Sequence, residues 1–451
     1  MNSMVALNWI AKNFLKILTL LLPPAIIAGI IDYRFHNYFW PSINALRPRT
    51  GFMFDFFSVL TFFVVILFIV YLIYAVARRN EKSKLTWAHW TVFLIIGGYI
   101  IALINFAPYA PQIKSAYWQV LINFVSPLLV FWILFSNLKE PVWQKRFIKS
   151  FLLTITALGA LCIFEFFTDI LPGANRDFLG REVWPYIDPF VKMKPESANW
   201  LAYIFGPAVI LAAVSLAENV KNKIINIKNL WLEILALVIC GVALLLTKSY
   251  TGILITAFIL FIWLFKNLHG KHRLYLVAGL IVLMAAGIGS QYKTQKFQIL
   301  LGNYKKENSI ERRAQIYTFN AKSFLAKPVT GIGPGNYQSY FRANQNKYGI
   351  NIPEEEIPPH PHNLITFFWS EIGIFGLLAI LLIYGFVIYK IIFSPNVFYF
   401  VMLYPLGHGL IDVPYGLEEF SMLFWIFLAL SVLMDINNKE IGLQKKVKTG
   451  K

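Results

Sequence analysis

Cysteine and charge are what this chain has least of. Two cysteines, Cys162 and Cys240, occur in 451 residues. That excludes a disulfide framework, and both fall within apolar runs, where a thiol reads as a small core group. Charged residues make up 14% of the sequence, well short of the roughly 25% usual in soluble domains. The shortage argues against an ordinary cytosolic enzyme. Disorder is excluded as well, because 57% of the residues are hydrophobic and 17% aromatic. No small-residue cleavage site follows the first apolar run, which is therefore expected to be retained as a span. No repeat relates the two halves of the chain, which disfavours transporters built from repeats.

What is present is a series of apolar stretches, each about as long as the roughly 20 residues that a bilayer core demands. Twelve are expected, near 12–31, 53–76, 86–106, 118–136, 150–168, 199–217, 230–247, 250–265, 274–290, 367–389, 396–412 and 419–434. The exits after spans two, four, six and eight are short and basic: Arg78, Arg79, Lys82 and Lys84; Lys139, Lys145, Arg146 and Lys149; Lys221, Lys223 and Lys228; Lys266, Lys271 and Arg273. By the positive-inside rule these exits and both termini are cytoplasmic. That side then carries nearly all of the net charge of +18. The charge is topological, compatible with anionic membrane lipid and no sign of a nucleic-acid partner.

The expected fold is thus an all-α polytopic membrane protein of about twelve transmembrane helices. Residues 1–290 form spans one to nine, 291–366 an outer loop, 367–434 spans ten to twelve, and 435–451 a basic cytoplasmic tail. The two long connections, 169–198 and 291–366, both fall outside. The second carries helix-like text, Glu311 to Phe324 and Tyr337 to Phe341, and is expected to form a helical cap between spans nine and ten.

Within that loop the chain reads Glu311-Arg312-Arg313-Ala-Gln-Ile-Tyr317, then Lys327-Pro-Val-Thr-Gly331-Ile-Gly333-Pro-Gly335-Asn336-Tyr337, then Pro359-His360-Pro361-His362-Asn363-Leu364. Glu371-Ile-Gly373-Ile-Phe-Gly376 follows at the start of span ten. This run resembles the O-antigen ligase/polymerase family of bacterial membrane glycosyltransferases. There an Arg lies four residues before an aromatic, a Gly-x-Gly-x-Gly-like turn follows, and a His-Asn pair precedes a helix carrying Glu-x-Gly. The resemblance implies transfer of a glycan from an undecaprenyl-diphosphate carrier to a glycan, lipid or protein acceptor. The transfer would be inverting, free of metal and cofactor, and on the outer side of the bacterial plasma (inner) membrane.

The residues suit that chemistry. Breaking a sugar–diphosphate bond develops negative charge on the leaving group, which Arg or Lys donors stabilise, and the acceptor hydroxyl needs a base. His362 is the expected base, since a histidine at a helix start meets the positive end of the helix dipole, which favours the proton-accepting neutral form. His360 is the neighbouring alternative, and an interfacial or capping histidine is the plainer reading. Arg313, matched by its spacing to Tyr317, is expected on the diphosphate with Arg312 beside it. Without the family context, the two would read as a solvated pair facing Glu311 or Glu307.

Further expected contacts to diphosphate or glycan are more open. Lys248 sits in Lys248-Ser249-Tyr250-Thr251-Gly252, where Tyr250 stands at the family's arginine position, and a lysine at a span end also simply snorkels. Arg181 or Arg176 supplies the arginine upstream of Asn199, itself as readily a helix cap as a ligand. Asn363 and Glu371 follow the base, Glu371 with a role in orienting His362 or an arginine. Glu165, within a span, is a suspect by position alone. His408 and Asp412, four apart at the end of span eleven, are expected as a buried hydrogen-bonded pair near the pocket, with substrate contact second. They lack the further ligands a metal would need. The Gly331–Gly335 run has no Gly-Lys-Ser/Thr after it, so it reads as a turn that shapes the cap and not as a phosphate loop. The chief rival is a twelve-span transporter or flippase of lipid-linked oligosaccharide. Few intramembrane charges, clustered outward, and a longest loop that lies outside weigh against it. A membrane scaffold is the third reading.

Overall fold

The computed structural model describes residues 12–28, 59–77, 91–97, 120–168, 198–221, 227–247, 249–279, 309–354 and 357–448, and every regular element among them is helical. Arg176, Arg181, Lys248 and the side chain of Glu165 lie outside the described residues. The principal helices are α1 (Val59–Ala77), α2 (Ser126–Asn137), α3 (Pro141–Thr168), α4 (Ala198–Lys221), α5 (Ile227–Leu246), α6 (Tyr250–Asn267), α7 (Ser309–Ala326), α8 (Tyr337–Asn344), α9 (Leu364–Phe393), α10 (Val397–Gly409) and α11 (Glu418–Lys448). Of these, α3, α4, α6, α9 and α11 contain stretches long and apolar enough to cross a membrane, and Phe63–Tyr74, Asn123–Asn137 and Leu230–Leu246 are shorter apolar helices. Helix is the form that such sequences take in hydrocarbon, because it satisfies every backbone N–H and C=O within the segment.

Where these helices begin is written in short polar residues. Ser249, Asn363 and Asn396 cap α6, α9 and α10, each accepting backbone N–H groups of the first turn through its side-chain oxygen. The bundle's interior is aromatic. Tyr415, in the turn before α11, takes the indole N–H of Trp425 at 2.8 Å and donates to the carbonyl of Asn123 at 2.8 Å. Its ring packs against Phe124, Phe367, Phe368 and Phe424. Helix α4 is buried by α5, α6 and α10. The Tyr404 ring of α10 fills a notch that a Cβ on Gly206 would close, and its hydroxyl donates to the Ala202 carbonyl at 2.6 Å.

Helix α9, expected as one uninterrupted span, is broken. Ile372 (φ −133°, ψ 20°) and Gly373 (φ 66°, ψ −149°) leave helical geometry, and the glycine-rich segment 329–335 fills the gap. The Ile374 N–H donates to the Val329 carbonyl at 2.9 Å, and the Ile332 and Gly333 N–H groups donate to the Ser370 carbonyl at 2.8 and 2.9 Å. The carbonyls and amides freed by the break are thereby paired again, as burial requires. The glycine run is thus a structural turn, with positive φ at Gly331, Gly333 and Gly335. A Cβ on Gly373 would collide with the Val329 carbonyl, and one on Gly331 with the Trp369 carbonyl.

Residues 309–354 with 357–361 form a helical unit with its own core of Ile316, Phe319, Ile332, Tyr337, Tyr340, Phe341, Ile350, Ile352 and Ile357, closed onto α9 by Trp369. Phe319 stacks on Phe341 with ring centroids 3.9 Å apart. This unit rests on the first half of α9, and its position fixes where α7 meets the start of that helix.

The inserted turn generates a graded expectation. Gly373→Ala, at φ 66° and against backbone, should cost roughly 3 kcal/mol or more or leave no folded protein. Gly349→Ala, at φ 67° in open space, should cost only about 1 kcal/mol. Thermal unfolding in detergent checks the order, and equal losses would show that the insertion contributes nothing.

Candidate functional site

The site is assembled where four helix ends meet: the start of α9, the end of α10, and the starts of α4 and α6. Asn363 opens α9, its Oδ1 accepting the Ile365 and Thr366 N–H groups at 3.0 and 3.2 Å. Its Nδ2 donates to the Leu410 carbonyl at 3.1 Å. Both ends of an amide expected at the substrate are therefore engaged in capping and in joining α9 to the turn after α10.

His362 precedes this cap at φ 53°, and no other non-glycine residue among those described has a positive φ. A histidine in the left-handed region stays there only when its surroundings over-determine it. Its Nδ1 lies 3.2 Å from Asp412 Oδ1. A carboxylate only accepts, so Nδ1 carries the hydrogen of that bond and Nε2 is the nitrogen left to take a proton. The imidazole is about one-quarter exposed, whereas the Asp412 side chain is buried.

Asp412 has further donors. Asn199 Nδ2 donates to its Oδ2 at 2.8 Å and the Val413 N–H to its Oδ1 at 2.9 Å. The chain continues outward: Ser249 Oγ donates to Asn199 Oδ1 at 2.6 Å and accepts the Gly252 N–H at 3.2 Å. Residues from 199, 249, 362 and 412 are thus linked through one carboxylate, which is held in its charged form by N–H donors from three directions. Asn199 joins the role of network member to that of helix start.

The pairing expected for His408 is different from the one found. Helix α10 ends at Gly409, where a Cβ would strike Leu364, and the chain turns so that the Asp412 side chain faces His362 and Asn199. Only a backbone bond, Asp412 N–H to the His408 carbonyl at 3.0 Å, joins the two residues. The His408 ring is fully buried between Tyr203 and Tyr404, and neither ring nitrogen has a hydrogen-bond partner. Glu371 is also corrected. Its buried carboxylate accepts the Gly335 N–H at 2.9 Å and secures the inserted turn, instead of orienting His362 or an arginine.

Helix α7 approaches the other side of His362. Arg313, Tyr317 and Asn320, spaced by four and three, share one helix face. The Tyr317 hydroxyl is shared between the His362 and Leu410 carbonyls, 3.3 Å from each, and Asn320 Nδ2 donates to the Pro361 carbonyl at 3.0 Å. Burial pushes the Tyr317 hydroxyl above its ordinary pKa, against the opposing charge of Arg313, so it remains a donor. Arg312 and Arg313 are both half-buried, and the Arg313 charge is felt at Tyr317 and at His408. Between α7 and α9 an apolar groove of about 460 Å³ runs past Tyr317 and Asn363, lined further by Phe324, Leu325, Ile365 and Trp369.

His360, the alternative base, lies against His362 with ring centroids 4.8 Å apart. Burial, reinforced by the neighbouring His362, pushes its pKa down to about 4. It is neutral at ordinary pH. Ser249 and Asn320 were not among the expected site residues. The signals for both were local: Ser249 stands three residues before Gly252 in cap position, and Asn320 continues the Arg313–Tyr317 stripe.

With this geometry in view, comparison with known proteins adds one finding. Residues 235–381 match the model of the O-antigen ligase family. That is about a third of the chain, and it includes Ser249, Arg312, Arg313, His362, Asn363 and Glu371. The match bears out the resemblance to the O-antigen ligase/polymerase family drawn from the motif cluster. Asn199, His408 and Asp412 fall beyond it. No curated protein matches the chain.

Two measurements follow from the backbone and burial of the histidines. Alanine at 362 keeps the positive φ whereas glycine is at ease there, so His362→Gly should unfold above His362→Ala by about 1 kcal/mol in detergent; a lower glycine variant would mean that the φ carries no strain. For His360 the folded pKa lies below the unfolded one, so its contribution to stability is complete above about pH 6.5 and is lost as pH falls toward 4. His360→Gln should flatten that part of the melting-temperature profile, and an unchanged acid limb would contradict the assignment.

Proposed function

We propose that this O-antigen ligase-type membrane protein transfers a glycan from an undecaprenyl-diphosphate carrier to an acceptor hydroxyl at the outer face of the plasma membrane. The observation that carries the reading is the placement of a partly exposed histidine, backed by a buried carboxylate, beside a helix face bearing Arg313. The reaction needs those two groups: a base for the acceptor and a fixed positive charge for the leaving diphosphate.

In this mechanism the acceptor oxygen attacks the anomeric carbon of the donor's first sugar from the face opposite the diphosphate. His362 Nε2 takes the hydroxyl proton as the new C–O bond forms. Asp412, hydrogen-bonded to Nδ1, holds the ring's tautomer and stabilises the imidazolium that results. The bond from the anomeric carbon to the diphosphate oxygen breaks, and its electron pair leaves on the lipid diphosphate. Arg313, with Arg312 beside it, meets that charge; guanidinium binds two oxygens at once and cannot lose its proton. Inversion at the anomeric carbon follows from the single displacement. The apolar groove between α7 and α9 suits a donor with a hydrocarbon carrier. The proton on His362 is released once the product leaves.

Twelve spans, cytoplasmic termini and an outward site belong to the same proposal, as does the assignment of Lys248 and Arg181 as secondary diphosphate contacts. Purified protein in detergent, supplied with a defined polyprenyl-diphosphate glycan and an acceptor glycan, should lengthen the acceptor without any sealed compartment. His362→Ala and Arg313→Ala should each lower the rate about 10²-fold or more while the protein remains folded. Wild-type rates in both variants would overturn the mechanism. Movement of the lipid across a sealed bilayer with no glycan transferred would favour a flippase.

A further inference from the structure

The positive φ of His362 needs something to hold it, and the side-chain donors to its own carbonyl and to that of Pro361 come from one helix. The loop carbonyls of Pro361 and His362 receive donors from Asn320 and Tyr317 of α7, and the Leu410 carbonyl receives Tyr317 and Asn363 together. Asn320 is itself fixed, since the buried Tyr337 hydroxyl donates to its Oδ1 at 2.6 Å. Tyr317 differs from these partners in being exposed by 38%. Water can replace its hydroxyl at both carbonyls, so the bond contributes little to holding the chain folded. What water cannot replace is a donor fixed on a rigid helix and set between two loops.

We propose that Tyr317 is a positioning residue: by bridging the His362 and Leu410 carbonyls it locks the left-handed backbone of His362 and keeps the imidazole on Asp412. The bridge joins the segment that carries the base to the segment that carries its carboxylate. A slip of either would separate Nδ1 from Oδ1. Because Arg313 lies one turn earlier on the same face of α7, the helix that meets the donor's diphosphate also sets the base. Docking of the donor and alignment of the general base are therefore mechanically coupled. This inference rests on the proposed transfer reaction for its catalytic consequence, but the positioning itself is measurable without it.

Tyr317→Phe removes one oxygen and keeps the ring. Two readouts apply to it. Diethyl pyrocarbonate labelling of His362, followed by mass spectrometry, should speed up several-fold, with the exposed His269 and His272 as unchanged internal standards. In the glycan-transfer assay kcat should fall about tenfold or more, as misplacement of a reacting group by a fraction of an ångström does, while the donor KM stays within about twofold. Unchanged labelling of His362 relative to the two standards overturns the positioning role whatever the rate. Faster labelling with an unchanged kcat, or a raised KM at constant kcat, overturns its part in the reaction, the latter by making Tyr317 a donor contact. If wild-type protein transfers no glycan, the functional reading fails, and the labelling still decides whether Tyr317 holds His362.

Discussion

A buried carboxylate cannot stand alone, and that constraint organises the centre of this protein. Taking Asp412 out of water costs several kcal/mol unless donors replace the lost hydration. The replacements come from the ring of His362, the amide of Asn199 and the N–H of Val413, with Ser249 holding Asn199 in turn. Each lies at the end or start of a different helix. The apolar core packs α4, α6, α9 and α10 together, and the carboxylate ties their ends to one another at this point. Remove any donor and a charge is left uncompensated. The same requirement that makes the cluster a structural hub gives it chemistry, because a histidine tied at Nδ1 to a fixed anion presents Nε2 as a base.

The second constraint is the break in α9. An unbroken helix would carry its first half straight on, whereas Ile372 and Gly373 redirect it and the 329–335 segment repairs the freed backbone groups. Glu371 completes the repair through Gly335. This places the unit built on α7 and α8 directly against the start of α9, so that Arg313, Tyr317 and Asn320 face the His362 loop. The inserted turn thus acts on the site from a distance, by deciding where α7 sits.

Much of this was legible in the sequence, and the misses have physical causes. Long apolar runs with few charges announce helices that cross a membrane, and those described are helical. Arg313, Tyr317 and His362 were legible because their spacing repeats a family pattern. The partner of His362 was not. Periodicity placed His408 and Asp412 on one helical face, but the helix stops at Gly409, and a stop at a close contact with Leu364 is a tertiary fact that no local pattern carries. Asn199 read as readily as a cap as a ligand, and Ser249 as part of a turn; that Asn199 reaches Asp412, with Ser249 holding Asn199 in turn, depends on the packing of α4 against α6 and α10. Glu371 was misassigned for the same reason. A carboxylate nine residues from a histidine gives no sign that a distant glycine turn will donate to it.

The central claim is that His362 and Asp412 act as one catalytic unit, and a double-mutant cycle on glycan transfer tests it most directly. The account predicts that Asp412→Asn and His362→Ala each slow the reaction strongly and that the doubly substituted protein is no slower than His362→Ala alone, because the carboxylate works only through the ring. Losses that multiply in the double variant would contradict it, showing that Asp412 acts on the substrate by a route of its own.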